Sequence, residues 1–274
     1  MKNEVGVMAG LHAEGPSLNY VAEFKLKVCQ VVCWNPDLFT AARAAALRRE
    51  SAKTGVKVTS LWAGWPGPAA WNFTEGPATL GLVPREYRKM RVAVLKRSAD
   101  FAKAAGLSAI VTHLGFIPEN PKDPQFGEVV AAVREVAQHA KKRRLQFWFE
   151  TGQETPVTLL RLIETVGTGN LGINLDPANL ILYGKANPVD ALDVFGKYVC
   201  GIHAKDGLYP TDPMNLGHEV KVGTGKVRFP AFVRRLTEIG YPGAYIIERE
   251  ISGAQQTKDI LATVKYLRAL LKKG

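Results

Sequence analysis

The stretch LQFWFETGQETPVTLLRLIETVGTGNLGINLD, residues 145–176, contains a strand, a helix and a second strand in direct succession. Its first and last segments, 145–150 and 171–176, are short and rich in apolar side chains, and each ends in a carboxylate. The segment between them, 156–166, has a helical pattern that begins at a proline. A strand, a helix and a further strand form the repeating unit of a parallel sheet with crossover helices.

The same alternation runs along the whole chain. Strands are predicted at 4–10, 27–34, 56–62, 108–114, 145–150, 171–176, 198–203 and 244–250, and helices at 17–25, 36–53, 84–106, 126–144, 156–166, 188–197, 229–239 and 255–272. Eight such units in 274 residues predict an α/β fold of the (β/α)8 TIM barrel type, with residues 1–274 as a single domain. A doubly wound open sheet is the competitor, but it needs a glycine-rich turn after an early strand, and MAGLHAEG (8–15) matches that fingerprint poorly.

Composition narrows the cellular setting and the partners. The formal charge is +11 with a pI near 9.6, yet the lysines and arginines are dispersed over predicted helices, which indicates a solvated surface and disfavours a nucleic-acid partner. Three cysteines (Cys29, Cys33 and Cys200) form neither a disulfide framework nor a paired metal motif. The sequence has no signal-peptide pattern and no apolar run of bilayer length, so we expect a cytoplasmic protein without a membrane partner.

Polar side chains fall at the ends of the four late strands. Glu150 ends strand five, Asp176 ends strand six, His203 ends strand seven, and Glu248 lies in strand eight. The carboxyl ends of barrel strands meet at one mouth, where the side chains of catalytic residues gather. Three carboxylates repel one another in such a cavity unless a cation lies among them. The pattern therefore predicts one divalent metal ion, and the oxygen-rich ligand set favours Mn²⁺, with Mg²⁺ or Co²⁺ as alternatives, over a structural zinc.

A simpler explanation exists for each of these residues taken alone. An acidic residue at a strand end is commonly a helix N-cap or a surface charge, and Asp176, followed by a proline, fits an Asx turn. The coincidence of four consecutive strands ending in metal-competent residues favours the metal site.

Further residues at the same end of the barrel are candidates for substrate binding. They are Trp62, His113, Asn179 and Lys205, although a buried core histidine is an alternative for His113. The loop 62–73 contains three tryptophans and a phenylalanine, and such rings either stack on a sugar or are buried by a lid or a second subunit. The glycines of VGTG (222–225) favour a simple turn over a phosphate loop. For Asp206, an active role and an ion pair with Lys205 both stay open.

Five motifs together resemble the xylose isomerase-like TIM barrel superfamily, in particular the sugar phosphate isomerase/epimerase group that includes the ketose 3-epimerases. The motifs are FETGQET (149–155), NLDPANL (174–180), IHAKDG (202–207), EVKVGTGKVRF (219–229) and IIERE (246–250). The resemblance implies that Glu150, Asp176, His203 and Glu248 are the metal ligands. It also implies that Glu150 and Glu248 are the catalytic pair, which transfers protons on opposite faces of a ketose or ketose phosphate through an enediolate.

The chain departs from the epimerase pattern at two substrate positions. Asn179 replaces a histidine, and Lys205 is the nearest cation where the epimerases have an arginine. The alternative is therefore a metal-dependent lyase or hydratase acting on a keto-sugar or keto-glycoside. Apurinic endonucleases of the same superfamily use three zinc ions and many histidines, and five histidines disfavour that function. Apolar helices and exposed tryptophans permit a dimer or a tetramer.

Overall fold

The eight predicted strands close into a parallel barrel in the computed structural model, which describes residues 4–272. Residues 1–3 and 273–274, the ends of the predicted domain, lie outside the described residues. The barrel strands are β1 (Val5–Gly10), β2 (Val28–Cys33), β3 (Lys57–Ala63), β4 (Ala109–Thr112), β5 (Gln146–Glu150), β6 (Leu171–Leu175), β7 (Val199–Ala204) and β10 (Tyr245–Ile247). Each pairs with its neighbours in chain order, and β10 closes the ring against β1. The TIM barrel prediction is confirmed, and an open sheet is excluded.

Helices connect the strands on the outside of the barrel. They are α1 (Asn19–Glu23), α2 (Ala41–Thr54), α3 (Gly76–Thr79), α4 (Arg85–Ala104), α5 (Pro124–Lys142), α6 (Pro156–Val166), α7 (Pro177–Leu182), α8 (Pro188–Phe195), α9 (Phe229–Glu238) and α10 (Ala254–Leu271). The predicted helix 36–53 is wrong in its first turn, because a 3-10 turn at Pro36–Leu38 precedes α2 and the Thr40 side chain caps α2. The short helices α3 and α7 were not predicted, nor was the antiparallel pair β8 (Asp206–Gly207) and β9 (Glu219–Val220).

Strand alternation separates two packed regions. Phe147 and Phe149 of β5 point outward into the large core between barrel and helices, whereas Trp148 packs inside the barrel with Val111 and Trp62. Gly172 makes room for the Trp148 ring, since a Cβ at position 172 would lie 2.6 Å from Trp148. A packed interior of this kind gives the barrel a solid base beneath its mouth.

The strand ends place the polar residues at the mouth. Two predicted strand ends were wrong by two residues or more: β4 ends at Thr112, before His113, and β10 ends at Ile247, before Glu248. The Glu248 amide still donates to the Ala204 carbonyl oxygen (3.3 Å), which keeps Glu248 beside β7. None of the helices in the described part of the chain combines the length and the apolar composition needed to cross a bilayer.

Candidate metal centre

The four side chains predicted as metal ligands converge at the barrel mouth. Glu150, Asp176, His203 and Glu248 each offer one ligand atom, and these atoms all lie within 4.8 Å of one another. The first three side chains are buried, and Glu248 is partly exposed. Among residues 4–272, this is the one group of three or more histidine, cysteine or acidic side chains with such spacing.

A hydrogen bond with Gln30 of β2 fixes the orientation of the His203 ring. Its Nε2 lies 2.8 Å from the Gln30 side-chain oxygen and donates to it, which leaves Nδ1 facing the cluster as the atom that can bind a cation. Nδ1 lies 3.1 Å from Glu150 Oε1 and 3.3 Å from Glu248 Oε2. Gln30 is buried on β2 and is itself held because its amide nitrogen donates to Ser60 and Asn174. This arrangement is typical of a ligand histidine with a fixed outer partner.

Asp176 caps a helix with one carboxylate oxygen and presents the other to the cluster. Its Oδ1 accepts a hydrogen bond from the Asn179 amide (2.8 Å) and so caps α7, while Oδ2 faces the cluster. Oδ2 is buried and has no hydrogen-bond partner among the described residues. Because a buried carboxylate oxygen without a partner is costly, this atom is an available ligand for a cation.

Glu150 is held by four side chains, three from other helices or strands and one from the loop after β4. The Trp62 indole N–H donates to Oε2, and His113 Nε2 lies 3.5 Å from the same oxygen. The Asn179 amide nitrogen donates to Oε1 (3.2 Å), and His203 lies on the same side. The structure thus brings three of the predicted substrate-binding residues directly against the Glu150 carboxylate.

The ammonium group of Lys205, the fourth predicted substrate contact, lies near three carboxylates and one amide oxygen. Its ammonium lies 2.8 Å from Glu250 Oε2, 3.2 Å from Glu248 Oε2 and 3.7 Å from Asp176 Oδ2, and it donates to Asn179 Oδ1 at 3.4 Å. Burial acts to lower the pKa of Lys205, but Glu248, Glu250 and Asp176 outweigh it and raise the pKa well above 10.5. Lys205 is therefore a permanent positive charge beside the cluster.

The charges of the cluster are strongly interdependent. Burial acts to raise the pKa of Glu248, but Lys205 and His203 lower it to about 2. Burial likewise opposes ionisation of Glu150, whose pKa the nearby histidines His113 and His203 hold well below its usual range. For Asp176 burial prevails and raises the pKa to about 6. Three carboxylates in this space thus require positive charge, from a proton on His203 or from a bound cation.

The donor set fits a divalent cation. Three carboxylates and the Nδ1 of His203 supply hard oxygen ligands plus one imidazole, and Asp176 Oδ2, which has no hydrogen bond among the described residues, belongs to the same cluster. Oxygen-rich sites of this type suit Mg²⁺ and Mn²⁺. The residues present can hold the metal that the sequence predicts.

A cavity of about 480 Å³ opens from the cluster to solvent. Glu150, Glu248, Trp62, His113 and Asn179 line it, as do residues that the sequence analysis did not single out as candidates. These additional residues are Met8, Val32, Trp34, Leu182, Tyr183, Leu216 and Glu250, and Trp71 of the loop 62–73 also lines the cavity. Trp34 directly follows β2, so a tryptophan at a strand end was a usable signal, as was the polar Gln30 within an apolar strand.

Asp206 has a structural role, and the tryptophan loop (62–73) is partly buried. The Asp206 carboxylate accepts hydrogen bonds from the backbone amides of Gly207, Gly223, Gly225 and Val227, at 2.9–3.1 Å. The VGTG segment is therefore a turn closed by an internal carboxylate. Trp65 is buried in the tryptophan loop, and Trp71 lies at the cavity mouth.

A buried arginine anchors this loop. Arg91 donates to the carbonyl oxygens of Pro68, Thr79 and Gly81 at 2.7–2.8 Å, and its guanidinium carbon lies 5.2 Å from the centre of the Trp65 ring. The rings behind the cavity mouth are thus fixed to the barrel.

Comparison with solved structures supports this fold. A xylose isomerase domain protein from Planctomyces limnophilus is 38% identical, with a TM-score of 0.93 over 99% of this chain and 98% of that chain. Two structures at lower identity share the fold. One is a Mycobacterium smegmatis protein in complex with magnesium (20% identity, TM-score 0.69, 93% and 87% of the two chains), and the other is a D-psicose 3-epimerase with D-fructose (16%, 0.68, 98% and 97%).

Curated relatives match over part of their length. MJ1311 of Methanocaldococcus jannaschii is 26% identical over 64% of this chain, and YihM of Escherichia coli is 28% identical over 57%. The matches span 62% and 50% of those proteins. The model of one family, described as xylose isomerase-like TIM barrel, matches residues 18–270. This match covers most of the chain and agrees with the closed barrel, so the chain belongs to the xylose isomerase-like TIM barrel family.

Proposed function

We propose that this protein is a divalent-metal-dependent sugar isomerase or epimerase that moves a proton at the carbon beside the carbonyl of a ketose. One observation carries the proposal: Glu150 and Glu248 both belong to the four-residue cluster and both line the cavity. A sugar bound in the cavity therefore contacts two carboxylates and the cation that balances their negative charge.

Glu150, Asp176, His203 and Glu248 would hold the metal, which supplies Lewis-acid polarisation of the substrate carbonyl when bound. Mg²⁺ and Mn²⁺ are the preferred ions and Co²⁺ is a third candidate, since the carboxylates are hard ligands. The structure at lower identity that contains magnesium is consistent with an ion of this type.

The two glutamates perform the proton transfer. Glu150 removes the proton from the carbon beside the carbonyl, and the electron pair of the broken C–H bond moves into an enediolate. Glu248, protonated from solvent through the open mouth, delivers a proton to the opposite face of the same carbon or to its neighbour. Delivery to the same carbon restores the original carbonyl and gives an epimer. Delivery to the former carbonyl carbon gives an isomer when the hydroxyl proton on the first carbon passes to the oxygen of the second, so that the carbonyl re-forms at the first carbon.

Surrounding side chains prepare the glutamates for these roles. The Trp62 N–H and the Asn179 amide bind the two oxygens of Glu150 and fix its direction, and His113 lies 3.5 Å from Oε2. Lys205 is buried 3.2 Å from Glu248 Oε2 and, with His203, lowers the pKa of Glu248 to about 2, so a proton that reaches Glu248 is readily passed on. We propose Trp62, His113 and Asn179, which line the cavity, as substrate-binding residues, and Lys205, which is not among the lining residues, as a residue that positions Glu248.

The similarity in fold to a D-psicose 3-epimerase that was solved with D-fructose supports a ketose substrate. A lyase or hydratase is the second candidate function, and one observation favours it. His113 lines the cavity, and its Nε2 lies 3.5 Å from Glu150 Oε2. Such a group can protonate a leaving oxygen when an enediolate eliminates a β-substituent. Release of a leaving group would identify this reaction in product analysis.

The test uses D-fructose, D-tagatose, D-ribulose and D-xylulose in deuterated water with Mg²⁺ or Mn²⁺. We expect NMR to show deuterium at the carbon beside the carbonyl in at least one of these ketoses. Glu150→Gln and Glu248→Gln should each lower the exchange rate at least about a hundredfold, while the surface variant Glu164→Gln should keep it. The two-carboxylate mechanism is wrong if exchange persists in both site variants.

A further inference from the structure

The cavity is larger than the ligand cluster at its base. Its volume of about 480 Å³ lies within the range of roughly 300–1,000 Å³ typical of pockets that enclose drug-sized ligands. Such ligands have more rings than one ketose. A ketose held near Glu150 and Glu248 therefore leaves space between itself and the solvent-exposed mouth.

Two tryptophans form the aromatic rim of this space. The Trp34 and Trp71 residues are 44% and 40% exposed, and both line the cavity. Their ring centres are 6.3 Å apart with planes at 84°, and Trp34 also packs on Trp62 at 5.0 Å. Exposed apolar rings that are held in place at a cavity mouth mark a ligand-binding surface.

The same cavity lacks receptors for a phosphate group. Among its lining residues, all within the described part of the chain, there is no lysine or arginine, whereas three carboxylates are present: Glu150, Glu248 and Glu250. Lys205 is buried and already contacts Glu248 and Glu250. The glycine-rich loop 222–225 is closed, because its amides donate to Asp206. The lysines and arginines that give the chain its formal charge of +11 therefore do not line the cavity.

We infer that the site takes an uncharged sugar that carries a second ring, with the reacting ring near the glutamates and the second ring against Trp34 and Trp71. This inference rests on the proposed function for the position of the reacting ring. It narrows the substrate class to unphosphorylated ketoses that carry a glycosyl group on a hydroxyl and keep their carbonyl free. A single tryptophan face that is covered by a sugar ring corresponds to about a tenfold gain in affinity.

Isothermal titration calorimetry with Mg²⁺ present tests the inference on a matched set of ligands. The set comprises D-fructose, D-fructose 6-phosphate, and glycosyl-fructose disaccharides linked through O4 and O6. We expect at least one disaccharide to bind about tenfold more tightly than fructose, and the phosphate ester to bind more weakly than fructose. Trp34→Ala and Trp71→Ala should remove the gain for the disaccharide and leave fructose affinity within about twofold.

Conservative and remote variants separate ring stacking from loss of structure. Trp34→Phe keeps an aromatic face and should retain most of the gain. Tyr209→Ala removes an aromatic side chain of similar exposure that does not line the cavity, and should have no effect. Thermal unfolding of each variant checks that the barrel is intact.

Three results would overturn the inference: tighter binding of the phosphate ester than of every disaccharide, no disaccharide binding more tightly than fructose, or a disaccharide gain that survives both alanine variants. A fourth is a change of molecular mass in solution with unchanged sugar affinity, which would make the rim a subunit contact. The titration measures sugar affinity, whether or not the protein converts the sugar. A protein that binds the disaccharide but exchanges no proton would contradict the proposed function and leave this inference standing.

Discussion

Gln30 is predicted to set the metal affinity without touching the metal. Its side-chain oxygen lies 2.8 Å from His203 Nε2, and its amide nitrogen is held by Ser60 and Asn174. The change Gln30→Leu keeps similar volume in the buried interior but removes the acceptor. His203 would then lose the contact that directs Nδ1 towards the carboxylates.

The structure indicates the size of the effect. One buried N–H loses its acceptor, which costs about 1–3 kcal/mol. Loss of an outer partner of a ligand histidine typically lowers metal affinity about 10- to 100-fold. We therefore expect Gln30→Leu to weaken Mn²⁺ binding about 10- to 100-fold, and to lower the free energy of unfolding in chelator by about 2 kcal/mol.

Titration calorimetry with Mn²⁺ and urea unfolding in chelator measure the two quantities. Gln30→Glu keeps an acceptor for His203 and should bind Mn²⁺ at least as tightly as the wild type. Gln138→Leu, an exposed glutamine on α5, controls for the change of side chain. Mn²⁺ affinity within about twofold of wild type in Gln30→Leu would refute the positioning role.

Three further predictions concern charge and the loops. Burial raises the pKa of Glu154 to about 7 from 4.5, so unfolding should become easier as pH rises from 4.5 to 7. Glu154→Gln should therefore be more stable than wild type by about 3 kcal/mol at pH 8 and equal to it near pH 4, measured by urea unfolding in chelator. Asp206→Ala leaves four backbone amides without their acceptor and should lower the free energy of unfolding by about 3–5 kcal/mol, whereas a loss below about 1 kcal/mol would show that water replaces the carboxylate. Lys205→Met removes a buried positive charge beside Glu248 and Asp176, so it should strengthen Mg²⁺ binding about tenfold in calorimetry while lowering the proton exchange rate; weaker binding would contradict this balance of charges.

Sequence was sufficient for the barrel and for the convergence of four side chains. Strand alternation and the polar residues at strand ends are local features, and the parallel barrel brings such ends together regardless of connecting loops. The prediction of α/β architecture and of the cluster formed by Glu150, Asp176, His203 and Glu248 therefore agrees with the structure. Whether these residues bind metal and transfer protons stays a prediction.

Long-range contacts account for what sequence did not provide. Gln30 and His203 are 173 positions apart, and their hydrogen bond depends on how the strands pair around the barrel. Helix α7 has six residues, too few for a helical repeat to show. The Asp206 carboxylate closes a loop 17 to 21 positions later, so its role follows from loop geometry that composition does not specify.

The metal stoichiometry of the chelator-treated protein tests the central claim most directly. Calorimetric titration with Mg²⁺ and Mn²⁺ should give one site per chain. Asp176→Ala and His203→Ala should each lower the affinity by at least about a hundredfold, because each removes a direct ligand. Saturating metal at about 100 times its Kd should also raise the free energy of unfolding by about 2.7 kcal/mol. A chain that binds no divalent ion, or that binds one equally well after both substitutions, would contradict the account.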